Sequence, residues 1–437
     1  MQVTLEKSGQ DTVELVVIVP AQDVTEQIKR GSIMVAYQKK VTPDPARTPV
    51  EVLSEQLGAD VAKQLIDEQI MQALAPFALA EKSLDIVGIP KFFSAHHAEK
   101  GKDFSFAMKC VPVPHCTLAS YDPVEITIPP LVVTSEEIKE QMEAMAQQNS
   151  VQATDETRTT VRKGDEVELA METTKEGVRL KALCARSRPY KTGAFTMPDA
   201  FDEAIIGMEV GETKTFSFEG PSFELDKEGN PLMEHYSSTV TLKRLLKDVV
   251  PAITDAWVKE NVPDCNTTQE LESKIERTVY AQKEIEYNKQ KNRLVANELA
   301  KRFDEKISDA VYEAAIGEAQ QTFTAQLEQQ GLTLEEFLKK QNMEEQQMSM
   351  ALMVEARDQL VRQLVLNALA EHLDLVVTDE DYDAYFASIA AGKEAQARSE
   401  FVRNGRMFAA RGAALRLKAN IYLSEHAIVH QASAPTA

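Results

Sequence analysis

The stretch DCNTTQELESKIERTVYAQKEIEYNKQKNRLVANELAKRF, residues 264–303, opens a segment that runs to Thr436 with a single proline, Pro435, and five glycines. An interior proline costs a helix ~3 kcal/mol and a glycine about 1, so a segment this poor in both predicts long helices. Leu271, Ile275 and Val279 recur on one helical face, whereas Gln282–Arg293 is polar apart from Ile285 and Tyr287. A helix that loses its apolar stripe midway has left its core, which predicts a protruding arm. Thr267 stands three residues before Glu270, Thr333 before Glu336 and Thr378 before Asp381. In each pair the hydroxyl can cap a backbone N–H while the carboxylate faces the positive end of a helix. The segment holds no Gly-rich phosphate loop, no metal-spaced His or Cys set and no nucleophile–base pair. It reads as a helical body built to touch other molecules.

The chain is 437 residues long, enough for two to four domains, and carries 48 Lys+Arg against 69 Asp+Glu, a net charge of −21. That balance argues against broad nucleic-acid binding, although a local basic patch could still dock on a ribonucleoprotein. The opening MQVTLEKSGQ has charges at Glu6 and Lys7 and does not read as a signal peptide. No window approaches the ~20 apolar residues of a membrane span, so the expected compartment is the cytoplasm. Cys110, Cys116, Cys184 and Cys265 form no C-x-x-C pair. Cys110 and Cys116 flank His115, with His96 and His97 upstream, but the spacing matches no common zinc site. Reduced, half-buried thiols are the expectation, with no metal and no cofactor.

Upstream, Val3–Leu5 and Val13–Val19 read as strands and Asp23–Lys40 as a helix with Val24, Ile28 and Met34–Val35 on one face. A proline-rich loop, Val41–Pro49, precedes a helical pair from about Val50 to Glu81. Strands near Leu84–Ile89 and Phe104–Pro112 complete a compact α+β unit. Ser135–Asn149 is a polar helix that reads as a connector. Strand-like runs at Val167–Met171, Thr213–Phe218 and Thr239–Leu245, with one short helix at Asp199–Ile206, predict a small antiparallel sheet wrapping that helix.

Two passages carry a family resemblance. VPAITDAWVK (residues 250–259) runs on to TTQELESKIERTV (267–279), and LEEFLKKQNMEEQQ (334–347) is followed by LVRQLVLNALAEHLDLVVTDEDYDAY (360–385). Both resemble the C-terminal domain of trigger factor, a family of bacterial ribosome-associated chaperones. MQVTLEK, VELVVIVP and RTPVEVLSEQLGADV (47–61) resemble the ribosome-binding domain of the same family, and the strand–helix–strand module lies where that family carries an FKBP-type prolyl isomerase. The resemblance covers nearly the whole chain in the right order and marks a divergent member. It implies an α+β multidomain fold: a ribosome-binding-like α+β domain (1–125), a connector (126–157), a small antiparallel FKBP-like β domain (158–247) and an elongated all-α C-terminal domain with protruding arms (248–437).

The family's ribosome loop, of the form Gly-Phe-Arg-x-Gly-Lys before a proline, is shortened here to Asp44-Pro45-Ala46-Arg47-Thr48-Pro49. Arg47 and Pro49 are kept, and Ala46 stands where the aromatic should be. The resemblance therefore implies weakened docking through Arg47, with Lys39 and Lys40 as replacement charge; a plain Pro-stiffened connector is the other reading. An FKBP-type site needs an aromatic, water-poor pocket rather than an acid or base. Phe201 matches the pocket floor, Phe223 falls near a pocket Tyr, and Met197 and Pro198 lie beside them. Met171, Leu180 and Ser238 stand where aromatics belong, Ala170 replaces an Asp, and Pro198 lacks the N–H that a carbonyl would need. These departures predict a degraded isomerase and a module that helps hold clients.

The candidate client-binding residues are Phe303, Phe323, Leu327, Phe337, Met343, Met350 and Met353, with Val311, Ile316, Leu332, Leu334, Leu338 and Met348 around them. Thioethers repack against many shapes, although each residue taken singly is more at home in a core. Burying about 600 Å² of apolar surface gives ~15 kcal/mol gross, most of it offset by ordering the client, so fast exchange without ATP is expected. The leading function is an ATP-independent chaperone for nascent or unfolded polypeptides near the exit tunnel of the large (50S) ribosomal subunit, with a homodimer left open and no membrane or free nucleic acid as partner. The alternatives are an active peptidyl-prolyl isomerase and a helical scaffold for one fixed partner.

Overall fold

Leu15, Val17 and Val19 are buried and alternate with less buried neighbours along one strand, and Phe104, Phe106, Met108 and Cys110 do the same along another. This period of two turns one face of an antiparallel sheet toward a core. The computed structural model describes the chain except residues 8, 10, 195, 226–230 and 433–437, and gives the backbone alone for 7, 222–225 and 231. Two compact units emerge, one from Met1–Pro130 with Ile285–Ala437, the other from Leu131–Glu284.

The first unit begins with β1 (Gln2–Lys7), β2 (Val13–Val19), α1 (Ala21–Gln38), α2 (Pro49–Leu57), α3 (Ala59–Glu81), β3 (Ile86–Ser94), β4 (Phe104–Pro112) and β5 (Glu125–Ile128). The first four strands form an antiparallel sheet in the order β1-β2-β4-β3. Its core closes on itself, with Leu15, Val17, Leu53, Ile66, Ile70 and Phe104 from sheet and helices packed together. The stripe of α1 is Val24, Ile28, Gly31, Ser32 and Val35, while Met34, expected inside, is 48% exposed. Residues 24, 28, 31 and 35 follow the 3.6-residue period, and 34 falls off it.

The second unit holds α4 (Ser135–Gln148), β6 (Val151–Thr154), β7 (Glu166–Lys175), β8 (Val178–Arg179), β9 (Ala185–Lys191), α5 (Asp199–Ile205), β10 (Thr213–Leu225), β11 (Pro231–Val249) and α6 (Asp255–Asn261). Strand β11 pairs with β10, β7 and β6, and α5 lies in the concavity of the sheet with Phe201 and Ile205 buried. Helix α4 has an apolar face of its own: Ile138, Met142 and Met145 pack on a small core of Val258, Cys265, Leu271 and Ile275.

Helix α7 (Thr268–Ala300) gives Leu271 and Ile275 to that core, and Val295 and Leu299 to the helical core of the first unit. The polar run Gln282–Arg293 is therefore the part of one continuous helix between two apolar stretches, with Ile285 67% exposed. The first unit is completed by α8 (Asp309–Gln329), α9 (Leu334–Gln341), α10 (Glu345–His372), α11 (Asp379–Ile389), α12 (Glu394–Arg403), α13 (Met407–His426) and β12 (Ile428–Gln431). All three expected caps form: Thr267 accepts from the Glu270 N–H at 3.2 Å, and Thr333 and Thr378 sit in full capping boxes with Glu336 and Asp381. Strand β12 pairs in parallel with β5. The Arg302 guanidinium donates to the carbonyl oxygens of Ser120, Asp122 and Pro123, and so ties the end of α7 to the loop before β5. Cys110 lies in the core of the sheet and Cys116 in that of the helices, and burial raises both thiols to about 11. Among the described residues, no group of three His, Cys, Asp or Glu side chains is placed to hold a metal ion, and no helix is long and apolar enough to cross a membrane.

Candidate functional site

Three places carry the residues that the sequence singles out. At the first, α1 ends at Gln38 with Lys39 as its cap, and Lys40 takes a left-handed φ of 54° that turns the chain out of the helix. Asp44 accepts from the N–H of Ala46 at 2.9 Å, and Thr48 caps α2 with Glu51. Between the two helices lies a groove of about 520 Å³ lined by Ile33, Tyr37, Lys40, Val41, Arg47 and Val52, among others. The structure thus brings Lys40 and Arg47 to one groove, while Lys39 does not line it. Arg47 donates to Glu55 at 2.5 Å, and this bond and charge raise its pKa. Part of its charge is spent inside the molecule. Tyr37, 81% exposed, is an aromatic that the sequence reading passed over. Its signal was available, because position 37 lies off the buried stripe of α1.

At the second place, Phe201 is fully buried and meets Tyr190, Phe216 and Phe218 edge-on at ring-centroid distances of 5.5, 5.3 and 5.4 Å. Tyr236, paired across the strands with Phe218, extends the cluster at 5.6 Å. Three aromatics thus meet Phe201 directly, and Tyr236 lies behind Phe218. The alternation Phe216-Ser217-Phe218 puts both rings on one face of β10, a period-two signal legible in the sequence. Tyr190 donates to Asp202 at 2.5 Å, and the other oxygen of Asp202 accepts from the Gly193 N–H at 2.9 Å. Burial and that carboxylate raise the tyrosine pKa well above its usual range. Met197 and Pro198 are half-buried. Pro198 lies against Gly220, where an added Cβ would meet its ring at 3.0 Å. Met171 is buried, and Ser238, where an aromatic was expected, pairs with Thr173 at 2.6 Å in a sealed polar contact. The side chain of Phe223 lies outside the described residues.

The third place is the α8–α10 tip. Helix α10 has no buried residue before Ala356, so its first three turns stand clear of the core. Along them Met350, Met353 and Val354 are 61%, 41% and 60% exposed, and Met343 and Leu334 on the α9 side are 38% and 37% exposed. The other candidates are placed differently. Leu327 is buried, as is Val311, which corrects their reading as open client contacts. Phe323 and Phe337 meet edge-on at 5.2 Å and are half-buried, fastening α8 to α9. Phe303 packs half-buried on the helical core. Val354, one turn beyond Met350, is an exposed apolar residue that sequence reasoning missed.

Family models described as "Bacterial trigger factor protein (TF)" and its C-terminus match residues 1–145 and 267–424. The chain belongs to the trigger factor family. It is 24% identical over 399 residues to the trigger factor of Lachnoclostridium phytofermentans, covering 90% of each chain. It is 23% identical to that of Staphylococcus saprophyticus, covering 88% of this chain and 87% of the other. A solved structure titled "Promiscuous Substrate Recognition in Folding and Assembly Activities of the Trigger Factor Chaperone" is 17% identical, with a TM-score of 0.39, and covers 97% of this chain and 99% of the other. Low identity along nearly the full length of its relatives makes this a divergent trigger factor. The family is one of ribosome-associated chaperones that bind nascent polypeptides.

Proposed function

We propose that this trigger factor family member holds nascent or unfolded polypeptides through the exposed methionine face of the α8–α10 tip, without ATP. The observation that carries the reading is the run Met350, Met353 and Val354 left open on a helix whose later turns bury Leu360, Leu364, Val365 and Leu369. Unbranched thioethers adapt to many apolar shapes at little cost, which suits brief holding of unrelated clients. Residues 1–125 take the ribosome-docking role in this proposal, 158–247 assist in holding clients, and 248–437 form the chaperone body, in the cytoplasm.

The test is suppression of aggregation of a proline-poor refolding client. Met350→Ser with Met353→Ser is expected to weaken suppression several-fold while the melting temperature holds. Unchanged suppression would remove the tip from the account. Docking at the ribosomal exit region through Lys40 and Arg47 is tested by cosedimentation with ribosomes at low salt, where Arg47→Ala should pellet less than wild type. Because Glu55 holds Arg47, Glu55→Gln is expected to pellet more.

Prolyl isomerisation is a second reading, favoured by the rings around Phe201. Against it, Phe201 is sealed, so a substrate proline reaches only the rim of the cluster. A protease-coupled peptide assay is expected to give a rate below ~10⁴ M⁻¹s⁻¹, the lower edge of the usual enzyme range.

A further inference from the structure

A groove of about 950 Å³ runs between α1 and α3 on one side and the turn from α12 to α13 on the other. Its floor is apolar: Ile33, Met34, Leu74 and Phe77 line it. The charged side chains in its lining are Arg30, Arg403 and Arg406, and none is acidic, on a chain of net charge −21. Arg30 pairs with Glu26 at 2.9 Å. Arg403 and Arg406 have no carboxylate within 4.0 Å among the described residues, and Arg406 lies 5.7 Å from the Phe401 ring. The turn that carries them is fixed. Gly405 donates to the Val402 carbonyl at 3.2 Å and Arg406 to that of Phe401 at 2.8 Å. Gly405 has a φ of 69°, and an added Cβ would stand 2.7 Å from the Phe77 ring. Only glycine lets the two arginines come down against this floor.

We propose that this groove docks a segment of another protein in which carboxylates stand beside apolar side chains. It goes beyond the holding role of the α8–α10 tip and does not depend on it. The apolar floor supplies non-directional affinity. Two guanidiniums without carboxylate partners, at the edge of that floor, donate to carboxylates in bidentate geometry and repel ammonium groups. Selection for acidic–apolar over basic–apolar segments follows, a discrimination that open methionines cannot make. RNA phosphates would satisfy the arginines but leave Ile33, Met34 and Leu74 uncovered, so a polypeptide fits better.

The test uses the full chain and two short fluorescent peptides, identical except that every Glu in a Leu- and Phe-rich sequence becomes Lys in the second. Anisotropy is expected to show the acidic peptide binding about tenfold tighter at low salt, and the gap narrowing as salt rises. Arg403→Glu with Arg406→Glu, both surface changes, should invert the preference. Gly405→Ala, which keeps both arginines but lifts the turn from Phe77, should weaken both peptides. Met350→Ser with Met353→Ser should leave the preference intact, which separates this site from the tip. Equal affinity for the two peptides overturns the proposal. So does a preference that survives charge reversal, displacement by single-stranded RNA but not by unlabelled acidic peptide, or self-association abolished by the charge reversal, which would make a second copy the occupant.

Discussion

Leu327 and Met350 look alike in the sequence, two apolar residues on helices of a surface-rich region, and the structure gives them opposite roles. Leu327 is 6% exposed beside the Phe323–Phe337 contact, while Met350 is 61% exposed. Leu327→Ala removes buried methyl groups and leaves a void, at a cost of about 2–3 kcal/mol. Hydrogen exchange should show it loosening α8 and α9 while the rest of the first unit stays protected. Met350→Ser should change stability by less than about 0.5 kcal/mol, and its effect should appear in client holding alone. Tyr190 and Asp202 teach the same lesson. Neither drew notice in the sequence, yet the pair anchors the Gly193 loop above α5.

Single elements owe their positions to a few demanding contacts. Strand β3 lies so close to α8 that a Cβ on Gly88, whose φ is 74°, would stand 2.5 Å from the Ala314 carbonyl oxygen. The Gly88 N–H also donates to Glu318 at 3.2 Å. Gly88→Ala combines left-handed strain with a backbone clash and should cost about 2–4 kcal/mol, read as a fall in the denaturation midpoint. In the second unit, Asp155 follows β6 and accepts from the Thr157 hydroxyl at 2.6 Å and N–H at 3.1 Å, with Arg158 and Lys247 nearby. Those hydrogen bonds and charges lower its pKa from 3.8 to about 2. A carboxyl whose folded value is depressed stabilises above its unfolded value and loses that contribution as pH falls through the folded one. The melting temperature of Asp155→Asn should therefore lie below wild type at neutral pH, and the gap should close between about pH 4 and pH 2.

At the scale of the whole molecule, the chain's two ends share one core. Val87, Val124 and Ile126 from the first half pack with Val295, Leu364 and Leu423 from the second, and β12 pairs with β5 across some three hundred residues of chain. The sheet core of Leu15, Leu53 and Phe104 draws only on residues before Val111. A fragment of residues 1–113 should therefore fold cooperatively by circular dichroism. A fragment of 285–437 alone should melt without cooperativity until 1–130 is supplied in trans. Closing such distant contacts is slow, so the helical body completes only after its last strand is available.

The capping pairs at Thr267, Thr333 and Thr378, the alternating strands and the long proline-free helices were all readable from the chain, because they depend on neighbours a few residues away. The order of motifs likewise carried the family. Packing partners were not readable. The polar run in α7 looked like an arm in sequence and proved to be the stretch between two apolar faces of one helix. Leu327 looked open and is closed, and the rings that meet Phe201 come from two separate strands. The chain's local pattern decided which residues are apolar and on which face of each element they fall. Only the tertiary structure decided which of those faces found a partner, because burial depends on what other segments, distant in sequence, bring to the same place.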